Sequence, residues 1–315
     1  MSENSKAFGR FIPAMITPFD KDRELDLKRA QELALRLIEG GADALLLNGT
    51  TGESPTVFYP QKIELFRAVM EAVDGKVPII ANVGDNCTAD SVDFACAAAK
   101  IGVDGLMCVV PYYNKPPQEG IYWHFRSIAE AVDLPIILYN IPGRCVINME
   151  AETTLRLAYD CANIRAVKEA SGKLDQIAKI ANEAPAGFAV YAGDDEITFS
   201  LMALGGWGVI STIGNVAPAR MNEIVTAMAA GDQARALAAH LALQPLMREL
   251  FVTSNPIMVK AAMRIVDFDC GGVRLPLVDA TATQSEKLAQ VMRAVGVLAD
   301  DPSKTLNESL IGDYL

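Results

Sequence analysis

The sequence predicts an α/β protein: a (β/α)8 barrel followed by a helical appendage. Three observations lead there. Short apolar runs alternate with amphipathic helical stretches, a strand and a helix in roughly thirty residues each time. The strand-like runs are apolar throughout, as strands covered on both faces of a parallel sheet must be. The first strand runs into Thr17-Pro18-Phe19. An open doubly wound sheet would place a G-x-G-x-x-G phosphate turn there, whereas here glycine-rich turns follow several strands, as in a barrel whose site is shared among many βα loops.

The strands fall at Phe11–Thr17, Ala44–Asn48, Pro78–Val83, Gly105–Val110, Pro135–Asn140, Ile164–Glu169, Ala189–Gly193 and Gly208–Ile213. Helical periodicity fills the gaps, near Leu27–Glu39, Pro60–Val73, Thr88–Ile101, Gln118–Ala131, Ala151–Asp160, Leu174–Glu183 and Glu196–Leu204. After Pro218 the strand signal stops. Met221–Ala230, Ala234–Phe251, Pro256–Val266 and Thr283–Val297 read as helices. The expected division is a barrel over 1–217, a helical subdomain over 218–299 and a polar tail over 300–315.

Composition narrows the function. The chain has 315 residues, 51% of them hydrophobic, and a net charge of −11. Such an acidic chain has no basic stripe for nucleic acid. Residues 1–10 lack the apolar segment of a signal peptide, and no apolar run reaches membrane-spanning length. The six cysteines form no C-x-x-C pair and mostly sit in apolar surroundings, which points to reduced thiols in a cytoplasm. With only His124 and His240, a histidine-based metal site is not expected. His124, in a helical stretch, reads as packing or surface. A positive mean hydropathy of +0.20 in so charged a chain suggests a large core and buried subunit interfaces.

Catalytic groups of a barrel cluster at the C-terminal ends of its strands. Lys168 ends the sixth, in Ile164-Arg165-Ala166-Val167-Lys168-Glu169-Ala170. A buried ammonium must be paired, neutralised or used, and desolvation favours the neutral amine that attacks carbonyls. The plainer alternative is that Lys168 pairs with Glu169 or leads its charge to solvent. The other strand ends offer Gly49-Thr50-Thr51-Gly52-Glu53, Pro111-Tyr112-Tyr113-Asn114-Lys115-Pro116-Pro117, Tyr139-Asn140-Ile141-Pro142-Gly143-Arg144 and Gly193-Asp194-Asp195. Hydroxyls and N–H groups of the first turn suit a small carboxylate. A phenol at Tyr139 or Tyr113, bridged by Thr50, suits proton relay. Arg144 offers a fork for a second carboxylate. Together they suit an imine between Lys168 and a keto acid.

The ordered strings resemble the dihydrodipicolinate synthase / N-acetylneuraminate lyase family of class I aldolases, from about Phe11 to Val297. By that resemblance Lys168 is the Schiff-base lysine for pyruvate, with no cofactor beyond the covalent lysine–pyruvate imine. Tyr139 is the proton shuttle, and Thr50 and Tyr113 are its relay partners, Tyr113 serving a neighbouring subunit. Thr51 holds the pyruvate carboxylate, and Gly193 and Ile210 line the pyruvate pocket. Arg144 marks the synthases, which use it for the carboxylate of L-aspartate-4-semialdehyde. The resemblance also implies small keto acid and aldehyde substrates and a homotetramer built as a dimer of dimers. Two alternatives stay open: a sugar-acid or 4-hydroxy-2-oxoglutarate aldolase or dehydratase with the same lysine, and a keto-acid sensor without turnover. In an allosteric pocket for lysine, Asn86 and Tyr112 match the family, whereas Tyr59, Lys62 and Asp90 depart from its lysine-inhibited bacterial members. A positive charge at Lys62 works against a cationic effector, so weak or absent lysine feedback is expected.

Overall fold

The structure, a computed structural model, describes residues 8–299. Eight parallel strands form one sheet: β1 (Phe11–Pro13), β2 (Leu45–Leu47), β3 (Ile79–Asn82), β4 (Gly105–Val109), β5 (Ile136–Asn140), β6 (Ile164–Glu169), β7 (Ala189–Ala192) and β8 (Gly208–Ser211). Each pairs with its neighbour in sequence from β2 to β8, and β8 pairs with β1. The ring closes between β1 and β2, where Asp43 N donates to Phe11 O and Met15 N to Leu46 O, both at 2.9 Å. This is the TIM-barrel architecture.

Strand β1 is shorter than the apolar run suggests, and the closure is the reason. Ala14 N still bonds toward β8, at Ser211 O, but Met15 N turns to Leu46 O and Ile16 N to the side chain of Asn215. The chain changes partner instead of extending one ladder.

Alternating residues fill the two sides of the barrel wall. Ile12, Leu46, Ile80, Met107, Ile137, Ala166, Tyr191 and Ile210 pack inside it. Phe8 plugs the lower end, where a Cβ on Gly105 would lie 2.4 Å from its ring. The opposite strand faces meet the outer helices in the larger core. Each large apolar side chain so buried contributes about 1.5–3 kcal/mol.

The outer helices are α1 (Leu27–Glu39), α2 (Tyr59–Val73), α3 (Thr88–Ile101), α4 (Gln118–Ala131), the four-residue α5 (Pro142–Cys145), α6 (Ala151–Asp160), α7 (Leu174–Glu183), α8 (Thr198–Ala203) and α9 (Pro218–Ala229). Helix α1 shows the local logic. The Asp26 side chain caps it by accepting from Arg29 N, and Ala30, Leu33, Ala34 and Leu37 form its buried stripe. Helix α9 packs on α8 and β1 in the eighth outer position, and the expected boundary at 217/218 runs just ahead of it. Helices α10 (Gln233–Glu249), α11 (Ile257–Ile265) and α12 (Ala282–Ala294) follow. Among the described residues no helix is long and apolar enough to cross a membrane. The tail over 300–315 lies outside the described residues.

Candidate active site

The β5–β6 ladder aligns Tyr139 with Lys168, and the β6–β7 ladder aligns Lys168 with Tyr191. Lys168 is therefore delivered to the C-terminal end of the barrel, 5% exposed, with its Nζ 4.4 Å from the centre of the Tyr139 ring. No carboxylate makes a salt bridge to it among the described residues. Glu169 is not its partner. Successive strand residues point to opposite faces, and the Glu169 oxygens are taken up by Asn140 Nδ2 at 3.1 Å, Ser171 N at 2.8 Å and Gln176 Nε2 at 2.9 Å.

Electrostatics follow from burial. Desolvation pushes the Lys168 ammonium down to about 8; Asp195 opposes that most, Arg144 adds to it and Asp194 opposes it. A lysine there carries a usable fraction of neutral amine near neutral pH. Desolvation pushes the Tyr139 phenol up to about 12, with Arg144 and a hydrogen bond with the Thr50 hydroxyl pulling it back. Tyr139 thus stays protonated and relays protons only through hydrogen-bonded partners.

The β2 turn spends part of the N–H set that its glycines suggest for anion binding. Gly52 N, Glu53 N and Ser54 N bond inside the turn, to Gly49 O, Thr50 O and Gly49 O. Thr17 Oγ1 donates to Gly52 O at 2.6 Å. What remains for a ligand is the pair of hydroxyls, Thr50 and Thr51, with their own N–H groups. The Thr51 hydroxyl accepts from Asn255 Nδ2 at 2.9 Å and lies 3.4 Å from the Thr212 hydroxyl. Gly193 leaves room beside the lysine: a Cβ there would lie 2.7 Å from Ala170 Cβ and 3.1 Å from Lys168 Cγ. Ile210, on β8, is buried inside the barrel. Arg144, in α5, is exposed, and its guanidinium donates to Asn255 O at 3.5 Å. These groups converge on one end of the barrel, with an amine, a phenol, hydroxyls and a guanidinium and no metal ligands. Among the described residues no three His, Cys, Asp or Glu side chains are grouped to hold a metal.

The model of the Dihydrodipicolinate synthetase family matches residues 7–295. The chain belongs to this family. Among its relatives is the 4-hydroxy-tetrahydrodipicolinate synthase of Moorella thermoacetica, 52% identical over 291 residues, which are 92% of this chain and 99% of that one. The synthase of Symbiobacterium thermophilum is 50% identical over the same shares. Among solved structures, the dihydrodipicolinate synthase of Cyanidioschyzon merolae with lysine bound superposes with a TM-score of 0.91 at 46% identity, covering 93% of this chain and 99% of that one.

Tyr113 is the family-matched residue that the single chain does not bring to the site. It stands 87% exposed at a φ of +75°, a left-handed conformation that costs a bulky side chain energy and needs a reason. The residues expected for an effector pocket follow β2, β3 and β4: Tyr59 and Lys62 lie in α2, Asp90 in α3, and Asn86 and Tyr112 in loops. The Tyr59 ring lies 5.0 Å from that of Phe94. Lys62 Nζ is 3.5 Å from Ser54 Oγ, and burial lowers its ammonium, with Asp85 opposing. Tyr112 donates to Asp85 Oδ2 at 3.1 Å. Asn86 O accepts from Asn114 Nδ2, and Asp90 stands in the first turn of α3.

Two polar residues near the mouth, and the burial of a third, were not legible from sequence. Asn255 and Thr212 reach Thr51 from 204 and 161 residues away. Asp195 is buried, although it follows a strand end in a charged pair.

Proposed function

We propose that the protein condenses pyruvate with L-aspartate-4-semialdehyde through an imine at Lys168, giving 4-hydroxy-tetrahydrodipicolinate for lysine and diaminopimelate synthesis. The observation that carries the reading is Lys168 itself: buried at the C-terminal mouth, without an ion-pair partner among the described residues, against the ring of Tyr139. Neutral Lys168 forms a C–N bond to the keto carbon, and the carbonyl oxygen leaves as water. Loss of a methyl proton then gives an enamine, which attacks the aldehyde carbon; the amino group of the added semialdehyde next attacks the imine carbon, forming the ring C–N bond as the bond to Lys168 breaks and the lysine leaves as an amine. Tyr139, bridged by Thr50, moves the protons these steps need. Thr51 orients the keto-acid carboxylate with backbone at Gly193 and Ile210, and Arg144 takes the carboxylate of the aldehyde.

Tyr113 completes the relay of a second copy, which is what its exposure and strained backbone support. The assembly we propose is a tetramer formed as a dimer of dimers, in the cytoplasm, working with small-molecule substrates, without nucleic acid, membrane, metal or cofactor. A solved relative at 40% identity is described as a monomeric variant, so assembly differs among such chains, and light scattering with activity on the same fractions tests it here. A fully active monomer would remove Tyr113 from the mechanism.

The experiment for the reaction is consumption of L-aspartate-4-semialdehyde that depends on pyruvate, followed through a coupled reductase. Folded protein without turnover would sink the reading. At Lys62 the chain already holds a cation between Ser54 and Asp85, which supports weak lysine feedback through Tyr59, Lys62, Asn86, Asp90 and Tyr112. Inhibition by micromolar lysine would contradict it.

A further inference from the structure

Asn255 lies just before α11 and is buried. The start of α11 is fixed against the β2 turn that carries Thr50, Thr51 and Glu53. Lys260, within α11, lies 2.6 Å from Glu53 Oε1 and donates to Gly272 O at 2.8 Å. Arg274 N donates to Glu53 Oε2 at 2.9 Å. Both oxygens of Glu53 are thus held by the C-terminal segment. From the same place the Asn255 amide reaches Thr51: Nδ2 donates to Thr51 Oγ1 at 2.9 Å. The amide oxygen, Oδ1, is buried with no hydrogen-bond partner among the described residues. An unpaired buried carbonyl costs stability, and an amide serving the fold alone would pair at both ends.

On the reading that Thr51 holds the carboxylate of a keto acid bound at Lys168, we propose that Asn255 is a positioning residue that fixes the direction of the Thr51 hydroxyl. A threonine hydroxyl has one proton to give and accepts through its lone pairs. An amide nitrogen only donates, so Thr51 Oγ1 accepts from it and the hydroxyl proton points elsewhere. Its hydroxyl neighbour among the described residues is Thr212 Oγ1, at 3.4 Å, longer than the usual O–H···O distance of about 2.7–2.8 Å. The proton is therefore loosely held and free for a carboxylate oxygen, which is a stronger acceptor. Fixing it beforehand removes an ordering cost from keto-acid binding.

Asn255 divides its contacts between the two substrates. The side chain acts through Thr51 on the keto acid. The main-chain oxygen accepts from Arg144 at 3.5 Å, the residue that takes the carboxylate of the aldehyde on the same reading. Truncating the side chain removes the first contact and keeps the second.

The test uses the whole protein. Borohydride trapping is followed against pyruvate concentration, with the labelled lysine identified by mass spectrometry. The coupled assay is followed against semialdehyde concentration at saturating pyruvate. Asn255→Ala should raise half-saturating pyruvate about fivefold, as the loss of one hydrogen bond implies. Half-saturating semialdehyde should stay within about twofold, because the main-chain carbonyl remains. In a Thr51→Val background there is no hydroxyl to direct, and Asn255→Ala should add less than about twofold. Asn255→Ser, whose side chain is too short to reach Thr51, carries the same expectations if Asn255→Ala does not fold. Unchanged half-saturating pyruvate would overturn the positioning role. So would an equal rise for both substrates, the same rise in the Thr51→Val background, or loss of folding in both variants, each of which makes Asn255 a brace of the fold. Wild-type protein that traps no pyruvate at Lys168 would instead overturn the imine reading itself.

Discussion

The molecule buries two lysines in opposite circumstances. Lys260, in α11, is 1% exposed and fully provided for: its Nζ lies 2.6 Å from Glu53 Oε1, donates to Gly272 O at 2.8 Å and sits 4.0 Å from the Phe19 ring. Lys168, at the end of β6, has an aromatic ring and no salt bridge among the described residues. Burial lowers both ammonium groups, but for Lys260 the opposing charge is in direct contact. The first arrangement suits structure, because a paired and hydrogen-bonded charge gains nothing by losing its proton. The second suits chemistry, because an unpaired amine in a dry site is ready to be neutral.

Removing each lysine separates the two roles. Lys168→Met should cut turnover by on the order of 10³-fold or more, read in the coupled assay, since no other amine replaces the nucleophile. Near-normal rates would end the comparison. Lys260→Met leaves the Glu53 carboxylate buried and unpaired, and should destabilise the fold by about 3–5 kcal/mol in denaturant unfolding. A loss below about 1 kcal/mol would mean that Glu53 finds another partner.

Stability sharpens the contrast, because the two substitutions should differ in sign. The folded-state pKa of Lys168 lies below its unfolded value, so the folded state binds fewer protons. Below about pH 8 that mismatch costs stability, and the cost fades as pH rises from about 8 to the unfolded value. Lys168→Met should therefore gain roughly 1–3 kcal/mol at neutral pH, and less near pH 10. Equal or lower stability would show that Lys168 is paired in solution.

The smallest effect is a pH limit on catalysis. Imine formation in the wild-type protein should rise with pH and level off above about 8, as the amine becomes neutral. A profile flat between pH 6 and 9 would break the link between burial and reactivity. His124 gives a separate acid limit on the fold. It is buried, bonded to Thr88, and desolvation pushes it down to about 4. Its contribution is complete above the unfolded value near 6.5 and is lost as pH falls through about 4. The unfolding midpoint should drop across that window, and His124→Gln should flatten the drop.

Much of the fold was legible because period and position are local. Helix Leu174–Glu183 agrees with its expected ends, and β6 was read as Ile164–Glu169 and observed so. Lys168 stood out from its strand alone, since an ammonium in an apolar run has few explanations. The one-turn helix α5 was missed because Pro142-Gly143-Arg144 reads as a loop, and four residues carry no period. The plainer pairing of Lys168 with Glu169 failed for a geometric reason: neighbours on a strand cannot share a face.

By itself, the sequence determined the barrel, the amine at the end of its sixth strand and the hydroxyls, phenol and guanidinium at neighbouring ends, because alternation and helical periodicity place side chains within one element. Only the tertiary structure decided that Glu53 is held by Lys260, that Thr51 is held by Asn255 and faces Thr212, and that Asp195 is buried with one oxygen unpaired. Those contacts join residues up to about two hundred positions apart. Their energies depend on desolvation, which exists only once the barrel has closed and the C-terminal helices have packed across its mouth.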